Sequence, residues 1–309
     1  MLGKTREGLV YGLACYGLWG LVPLYFCLLK EIDAVELLLH RVLWSALFLG
    51  ILVAVSGRWE TVRRSFCTPS LLLPLSITAV LIAANWLVYI ISVNHERIAE
   101  ASLGYYVTPL VSVLIGLAAY RERLRPLQWL AIGVAGLGVA LMVRAIGGVP
   151  WIALILAVSF GLYGAIRKKV PVDGLAGLSV ETCLLVPAGI IYLVWAARDA
   201  SLQVGMDQPG LFALVALSGV VTAIPLLCFG QAARRLPLST LGFLQYLAPS
   251  LQLGVAVFVF DERPTLGWWN FALIWVALGI FSADALLAQR KPGLSNDPRL
   301  LAAEPQAAE

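Results

Sequence analysis

The sequence predicts an all-α integral membrane protein with ten transmembrane helices in two inverted five-helix repeats. Three observations lead to this fold class: the composition, a series of ten apolar runs and an internal repeat. Of the 309 residues, 60% are hydrophobic and 13% are charged, whereas about 25% of a soluble protein is charged. So little charge cannot cover a soluble surface, and the composition argues against a disordered chain and against nucleic-acid binding.

Ten apolar runs are bounded by charged residues, Pro or Gly. Each helical crossing needs about 20 residues, so ten crossings leave too little chain for a folded soluble domain. The first run follows Lys4 and Arg6 but is too long for a signal peptide, and we expect it to be retained. The predicted crossings are 8–29, 35–55, 71–92, 98–119, 127–143, 149–166, 176–196, 210–230, 238–259 and 267–288.

Residues recur in the same order in the two halves of the chain. A shift of 140 positions pairs Pro109 with Pro249, and shifts of 144 and 145 pair further residues near the start of each half. Because each half has five crossings, an odd number, the second half must be inverted relative to the first. We therefore divide the chain into a first repeat, 1–145, a second repeat, 146–289, and a polar tail, 290–309, which is predicted to be disordered. The other matched pairs are Glu122 with Glu262, Arg123 with Arg263, Trp129 with Trp269, Gly17–Gly20 with Gly161–Gly164, and Val35-Glu36 with Val180-Glu181.

The distribution of positive charge predicts the orientation in the membrane. If the N-terminus is cytoplasmic, the inner segments hold 16 of the 22 Lys and Arg residues and the outer segments hold five. This bias predicts a multi-pass protein of the plasma (inner) membrane with both termini cytoplasmic. The basic clusters are expected to anchor the inner loops to lipid headgroups: Arg63-Arg64, Arg167-Lys168-Lys169 and Arg234-Arg235.

Motifs for metal or nucleotide chemistry are missing from the sequence. The five cysteines form no CxxC pair, and the two histidines are 55 positions apart. The sequence contains no GxxxxGK[ST], HExxH or GxSxG motif. We therefore predict no cofactor, no metal site and no ATP-driven pump. The expected partners are membrane lipid and a small-molecule solute. The sequence does not indicate whether the protein is a monomer or an oligomer.

Several stretches together resemble a known transporter family. They are GLACYGLWGLVPLYF near the N-terminus, ELLLHRVLWS, EASLGYYVTPLVSVLIG, PLLCF and LSTLGFLQYLAP. With five crossings per half and Glu-Arg after the fourth of each, the chain resembles the RarD subgroup of the EamA family, in the drug/metabolite transporter superfamily. The resemblance covers about 1–290 and implies a permease with a basket of helices around a central cavity. Arg121 and Asp261 stand where the wider family often has Gly.

The second crossing carries the first candidate solute-binding residues. Glu36 and His40 are four positions apart and share a helix face, and Arg41 places a charge about 9 Å into the helix. Charges at such depth usually face protein or water. Arg41 either snorkels or pairs structurally with an acid, or it forms a cationic wall for a carboxylate-bearing solute. Glu36 and His40 are also a candidate proton-responsive pair.

Polar and aromatic residues on other crossings are the further candidates. Asn85 and Tyr89 share one face of the third crossing, and their polar groups bond either to other helices or to a solute. Pro109 and Pro249 are predicted hinges in the fourth crossing of each half, because proline frees a backbone carbonyl. The remaining candidates for the cavity wall are Tyr105, Gln245, Tyr246, Trp19 and Tyr163.

Two classes of function remain open from the sequence. The favoured one is a secondary-type permease that moves a small organic solute by alternating access, most consistent with export of a drug-like compound or metabolite. The alternative is a membrane-embedded enzyme, or an accessory or receptor subunit without transport. An enzyme would need titratable groups clustered at one membrane depth, and the carboxylates of this sequence are few and spread between opposite helix ends.

Overall fold

A computed structural model describes residues 2–95, 97–199, 201–205, 207–261 and 268–290. Within these ranges the chain forms twelve α-helices and one short 3₁₀ helix, Cys27–Leu29. The α-helices are α1 (Leu2–Phe26), α2 (Ala34–Val55), α3 (Trp59–Cys67), α4 (Pro69–Asn94), α5 (Ile98–Tyr120), α6 (Pro126–Ile146), α7 (Trp151–Lys169), α8 (Gly174–Arg198), α9 (Pro209–Ala233), α10 (Leu238–Gln245), α11 (Leu247–Val259) and α12 (Trp268–Arg290).

Among the described residues, nine segments are long and apolar enough to cross a membrane. They correspond to the first nine predicted crossings, with α10 and α11 together forming the ninth. The predicted crossing at 267–288 corresponds to α12, in which the described apolar stretch is the shorter Phe271–Ala285. The described part of the chain is therefore an all-helical, multi-pass membrane protein. The tenth crossing stays a prediction.

Two features of the helices were not predicted. The loop after α2 contains the short helix α3, which carries its polar residues on one face and lies between two crossings. The crossing at 238–259 breaks at Tyr246, three residues before Pro249, because the proline ring cannot continue the hydrogen bonding of the preceding turn. Pro109, by contrast, lies inside the continuous helix α5.

Contacts between loops define two faces of the bundle. Arg58 pairs with Asp173 at 3.2 Å, and Arg125 pairs with Asp284 at 2.6 Å. These residues, with the beginning of α1, form what we call the N face. The other end, where the Glu36 carboxylate accepts hydrogen bonds from the loop after α8, is the opposite face.

Most of the packing joins the first half of the chain to the second. In the N-terminal half, α1 packs against α9 and α11, α2 against α8 and α9, and α5 against α7 and α10. The pair α6 and α12 packs at the side of the bundle. Glycines allow the closest approaches: a Cβ at Gly219 of α9 would collide with the backbone of Trp44 in α2, as is common where membrane helices touch.

The turns after α5 and α11 share an unusual backbone conformation. Arg121 has φ 51° and Asp261 has φ 55°, both in the left-handed region that glycine adopts most readily. These two residues are 140 positions apart, and they stand where the resemblance to the EamA family implies Gly. The turn geometry is therefore retained here without the glycine. Glu262 and Arg263 lie outside the described residues. The predicted tail, apart from Arg290, also lies outside them.

The basic cluster at the end of α7 corrects one sequence prediction. Arg167 was expected to anchor lipid headgroups, but it is 1% exposed and lies 3.5 Å from the Glu181 carboxylate. The Lys168 ammonium donates a hydrogen bond to the Leu236 carbonyl. Both side chains turn into the protein because α8 and the loop before α10 cover the end of α7.

Candidate functional site

A small cavity lies in the centre of the bundle, where helices of both halves meet. Its water-accessible volume is about 20 Å³, enough for a water molecule. Its walls combine apolar side chains with a few polar groups. The lining residues are Val42, Ser45 and Leu49 of α2, Ile82 and Trp86 of α4, Tyr163 of α7, Leu178, Glu181, Thr182 and Leu185 of α8, and Thr222, Ala223 and Leu226 of α9.

Arg41 lies at the end of this cavity nearer the opposite face. Its Nε donates a hydrogen bond of 2.9 Å to the Thr222 hydroxyl. Its guanidinium carbon lies 4.8 Å from the centre of the Phe26 ring and 5.4 Å from that of Trp86, distances at which a cation is attracted to an aromatic face. Both Trp86 and Thr222 also line the cavity, so Arg41 contacts the cavity wall directly.

No described carboxylate lies within 4 Å of the Arg41 guanidinium. The titratable groups around it are the phenols of Tyr25, Tyr89 and Tyr105, which carry no charge at neutral pH. Since a cation inside a membrane protein normally pairs with an anion, this arrangement leaves Arg41 able to bind an anionic group. The alternative in which Arg41 pairs structurally with an acid finds no such acid in the described part of the chain.

Tyr89 and Tyr105 form an aromatic pair beside Arg41. Their ring centres are 6.1 Å apart, and the two side chains are 37% and 39% exposed. Tyr89 lies on α4 and Tyr105 on α5, whereas Arg41 lies on α2. Together with Phe26 and Trp86 they form what we call the aromatic box around Arg41.

Glu36 and His40 lie outside the cavity wall, although they share a helix with Arg41. The buried Glu36 carboxylate accepts hydrogen bonds from the backbone N–H groups of Gln203 and Val204, at 3.0 to 3.1 Å. The His40 Nε2 lies 3.8 Å from a Glu36 oxygen. Glu36 therefore attaches the start of α2 to the loop between α8 and α9.

Asn85 and Tyr163 make hydrogen bonds between helices. The Asn85 amide donates to the Leu156 carbonyl and to the Ser159 hydroxyl, both at 2.9 Å, and so joins α4 to α7. The Tyr163 hydroxyl lies 3.3 Å from a carboxylate oxygen of Glu181. Of these two predicted residues, Tyr163 lines the cavity.

The remaining predicted residues surround the cavity at a distance. Trp19 packs against Phe160 and Phe229, with ring centres 5.7 and 6.1 Å away. Gln245 and Tyr246 are buried at the break between α10 and α11. Close to that break, the Tyr106 hydroxyl lies 3.4 Å from the Pro249 carbonyl oxygen and so connects α5 to α11.

The predicted hinge residues, Pro109 and Pro249, lie on two crossings that contact each other. A Cβ at Gly242 of α10 would come within 2.8 Å of the Pro109 carbonyl oxygen. The two proline-bearing crossings therefore pass one another at close range, with a glycine at the point of contact.

Sequence reasoning missed Thr222 as the hydrogen-bond partner of Arg41, and it missed the buried pair that Glu181 and Arg167 form beside the cavity. Thr222 is a single hydroxyl in an apolar run, and no sequence pattern distinguishes it from a packing residue. Glu181 was matched to Glu36 by the internal repeat but was placed near a helix end. Glu181 lies in an apolar run and is matched by the repeat to another carboxylate, that of Glu36. This match was the signal that could have identified Glu181 as a functional residue.

The comparisons with known proteins agree with this architecture. The EamA-like transporter family matches residues 6–144. Protein RarD of Salmonella typhi is 45% identical over 289 residues, covering 93% of this chain and 98% of that protein. The chain belongs to the EamA family, in its RarD subgroup.

Two further similarities are more distant. The chloramphenicol-sensitive protein RarD of Pseudomonas aeruginosa is 31% identical over 293 residues, covering 93% of this chain and 97% of that protein. A solved structure described as "Crystal structure of protein" aligns with a TM-score of 0.66 at 22% identity, over 92% of this chain and 98% of that one. The structural match shows that the EamA-family chain shares its fold with a crystallised protein. The family and the names of its members make the chain a membrane transporter of the drug/metabolite type.

Proposed function

We propose that the chain is a secondary-type permease that exports a small organic solute across the inner membrane by alternating access. Its N- and C-termini are cytoplasmic, so the N face is the cytoplasmic face. The observation that carries this proposal is the environment of Arg41, a cation without a described carboxylate partner at the end of a central cavity.

The aromatic box indicates the class of solute. A guanidinium binds a carboxylate or a similar anion in a planar, two-pronged geometry. Around Arg41 lie the rings of Phe26, Trp86, Tyr89 and Tyr105, which would favour an apolar or aromatic body next to the charge. We therefore propose a solute with one anionic group attached to a flat or apolar body.

The helix contacts support an arrangement of two inverted five-helix repeats. If α1 corresponds to α7, α2 to α8, α4 to α9, α5 to α10 and α11, and α6 to α12, the main contacts between crossings of the two halves have counterparts. For example, α4 packs against α7 as α9 packs against α1, and α5 packs against α7 as α11 packs against α1. The left-handed residues Arg121 and Asp261 occupy equivalent turns under the same 140-residue shift.

The contact between α6 and α12 supports the tenth crossing. Arg125, the N-cap of α6, pairs with Asp284 near the end of α12, so the two helices run in opposite directions. A helix that starts at the opposite face and ends at the N face gives ten crossings and leaves both termini on one side.

Transport by purified protein tests the proposal directly. The chain would be reconstituted in proteoliposomes, and uptake and efflux measured for a panel of amino acids and amphipathic drugs that includes chloramphenicol. We expect saturable exchange of at least one anionic solute with an aromatic body. Absence of exchange across the panel, from correctly inserted protein, would overturn the proposal.

A further inference from the structure

Glu181 is a carboxylate buried in the bundle that the binding of an anionic solute does not use. It is 1% exposed, lies on α8 and lines the central cavity. Its Oε1 accepts a 2.6 Å hydrogen bond from the Thr78 hydroxyl of α4, and its Oε2 lies 3.3 Å from the Tyr163 hydroxyl of α7. One carboxylate thus connects three helices from both halves of the chain.

Arg167 neutralises this carboxylate without a well-formed hydrogen bond. Its Nε lies 3.5 Å from Oε1 of Glu181, and Nε and Nη1 have no hydrogen-bond partner among the described residues. The guanidinium occupies a slot between two glycines: a Cβ at Gly177 would collide with Nη1, and one at Gly230 would lie 3.2 Å from Nη2. The pair is therefore enclosed but loosely joined.

Glu36 provides a contrast within the same molecule. Its carboxylate is equally buried, but its donors are backbone N–H groups, which favour the ionised form and cannot accept a hydrogen bond. The donors to Glu181 are two hydroxyls, which can donate to a carboxylate and can also rotate to accept from a carboxylic acid. The Glu181 site therefore suits both protonation states, whereas the Glu36 site suits one.

Few other titratable or charged groups face Glu181. Arg167 and Tyr163 come from α7, and α4 contributes only the Thr78 hydroxyl. The α2 and α9 walls present Ser45 and Thr222 among apolar residues. Cys15 of α1 lies near Tyr163. Arg234, directly after α9, lies near Arg167 and repels it because both carry positive charge. A proton added to the Glu181–Arg167 pair consequently changes its net charge from zero to +1, and Arg167 is the one charged group within 4 Å of Glu181 among the described residues.

We propose that Glu181 is the proton-binding residue that couples solute export to proton entry. In the ionised form, the Glu181–Arg167 pair holds α7 and α8 together near the N face and keeps that face closed. When the carboxylate takes a proton from the cavity, the Thr78 hydroxyl changes from donor to acceptor, and Arg167 loses its counter-charge. The N face then opens, the proton leaves to the cytoplasm, and solute binds at Arg41.

This inference rests on the proposed function, and its first test does not need a transported solute. Dicyclohexylcarbodiimide reacts with protonated carboxyl groups in apolar surroundings, and the modified peptide is identified by mass spectrometry. In proteoliposomes we expect several-fold more labelling of Glu181 at pH 6 than at pH 9, and little labelling of Glu36 at either pH. Absence of labelling at Glu181, or labelling equal at both pH values, would overturn the proposal.

A second test separates coupling from transport. E181Q should keep solute exchange at equal pH, measured with the panel member that is exchanged fastest, but should lose accumulation driven by a pH gradient. E60Q, at an exposed position on α3, is the control and should keep both activities, and E181D should retain part of the coupling in a folded protein. If E181Q accumulates solute like the unaltered protein, Glu181 is not the coupling residue. If no panel member is exchanged, the proposed function fails and the labelling alone decides proton binding.

Discussion

The Arg41 Nε and the Thr222 hydroxyl are joined by a 2.9 Å hydrogen bond that links α2 of the first half to α9 of the second. This bond fixes one edge of the guanidinium and leaves its other N–H groups free of described hydrogen bonds. The side chain is therefore oriented by the protein while its remaining donors point to no described carboxylate. Orientation of this kind lowers the entropy lost on binding an anion.

Substitution of Arg41 should separate binding of an anion from folding. Arg41→Lys keeps the charge but not the two-pronged geometry and should retain part of the transport, whereas Arg41→Ala should abolish it. Transport in proteoliposomes and the amount of inserted protein are measured together. Arg63→Ala, on the exposed surface of α3, is the control and should transport normally. Equal loss of folded protein in both Arg41 variants would assign Arg41 a structural role.

The charge bias predicts that Cys67 faces the cytoplasm. Cys67 is exposed at the end of α3, so it is accessible to thiol reagents from its own side of the membrane. With the other four cysteines replaced, an impermeant maleimide should label Cys67 in inverted vesicles but not in intact cells. Labelling in intact cells would reverse the proposed orientation.

The two prolines should bias access in opposite directions. In an inverted repeat, Pro109 and Pro249 occupy equivalent places on helices that bend as access alternates. Pro109→Ala and Pro249→Ala should therefore shift the ratio of inward- to outward-accessible cysteine probes with opposite signs. Because the helix is already broken before Pro249 and is continuous at Pro109, the Pro249 shift should be the larger. Shifts of one sign, or none with normal transport, would contradict rocking of the two halves.

Gly219→Ala should destabilise the contact between α2 and α9. The added methyl would meet the backbone of Trp44 and lie 2.5 Å from the Ser45 nitrogen, and backbone cannot move aside as a side chain can. We expect a loss of about 1–3 kcal/mol, seen as a lower thermal transition in detergent. Gly133→Ala in α6 is the matched control, since nothing lies within 4 Å of its Cβ. It should leave stability unchanged or raise it slightly, and an equal loss in both variants would exclude the packing explanation.

Arg121→Gly should stabilise the protein. A non-glycine residue in the left-handed region costs about 1–2 kcal/mol, whereas Asp tolerates it better than most. The gain should therefore be larger for Arg121→Gly than for Asp261→Gly, with the same thermal assay as the readout. Arg123→Gly, a neighbouring loop position outside the positive-φ residues, should give no gain. A stabilisation of the same size at position 123 would contradict the assignment of the gain to relief of left-handed strain.

The sequence by itself determined the membrane class, nine of the crossings within a few residues and the family. Each follows from local information: apolar runs of membrane length, and motifs that lie within single helices. Even the unusual turns at Arg121 and Asp261 could be identified as positions where Gly was expected.

Only the tertiary structure decided which polar groups face one another. Arg41 and Thr222 are 181 positions apart, and Thr78 and Glu181 are 103 apart, so no periodicity within one helix could pair them. The same packing turned Arg167, which the sequence grouped with exposed basic residues, into the buried neighbour of Glu181. Membrane helices are apolar on most faces, so the hydrophobic pattern does not reveal which face meets another helix, and the site is set by helix packing instead.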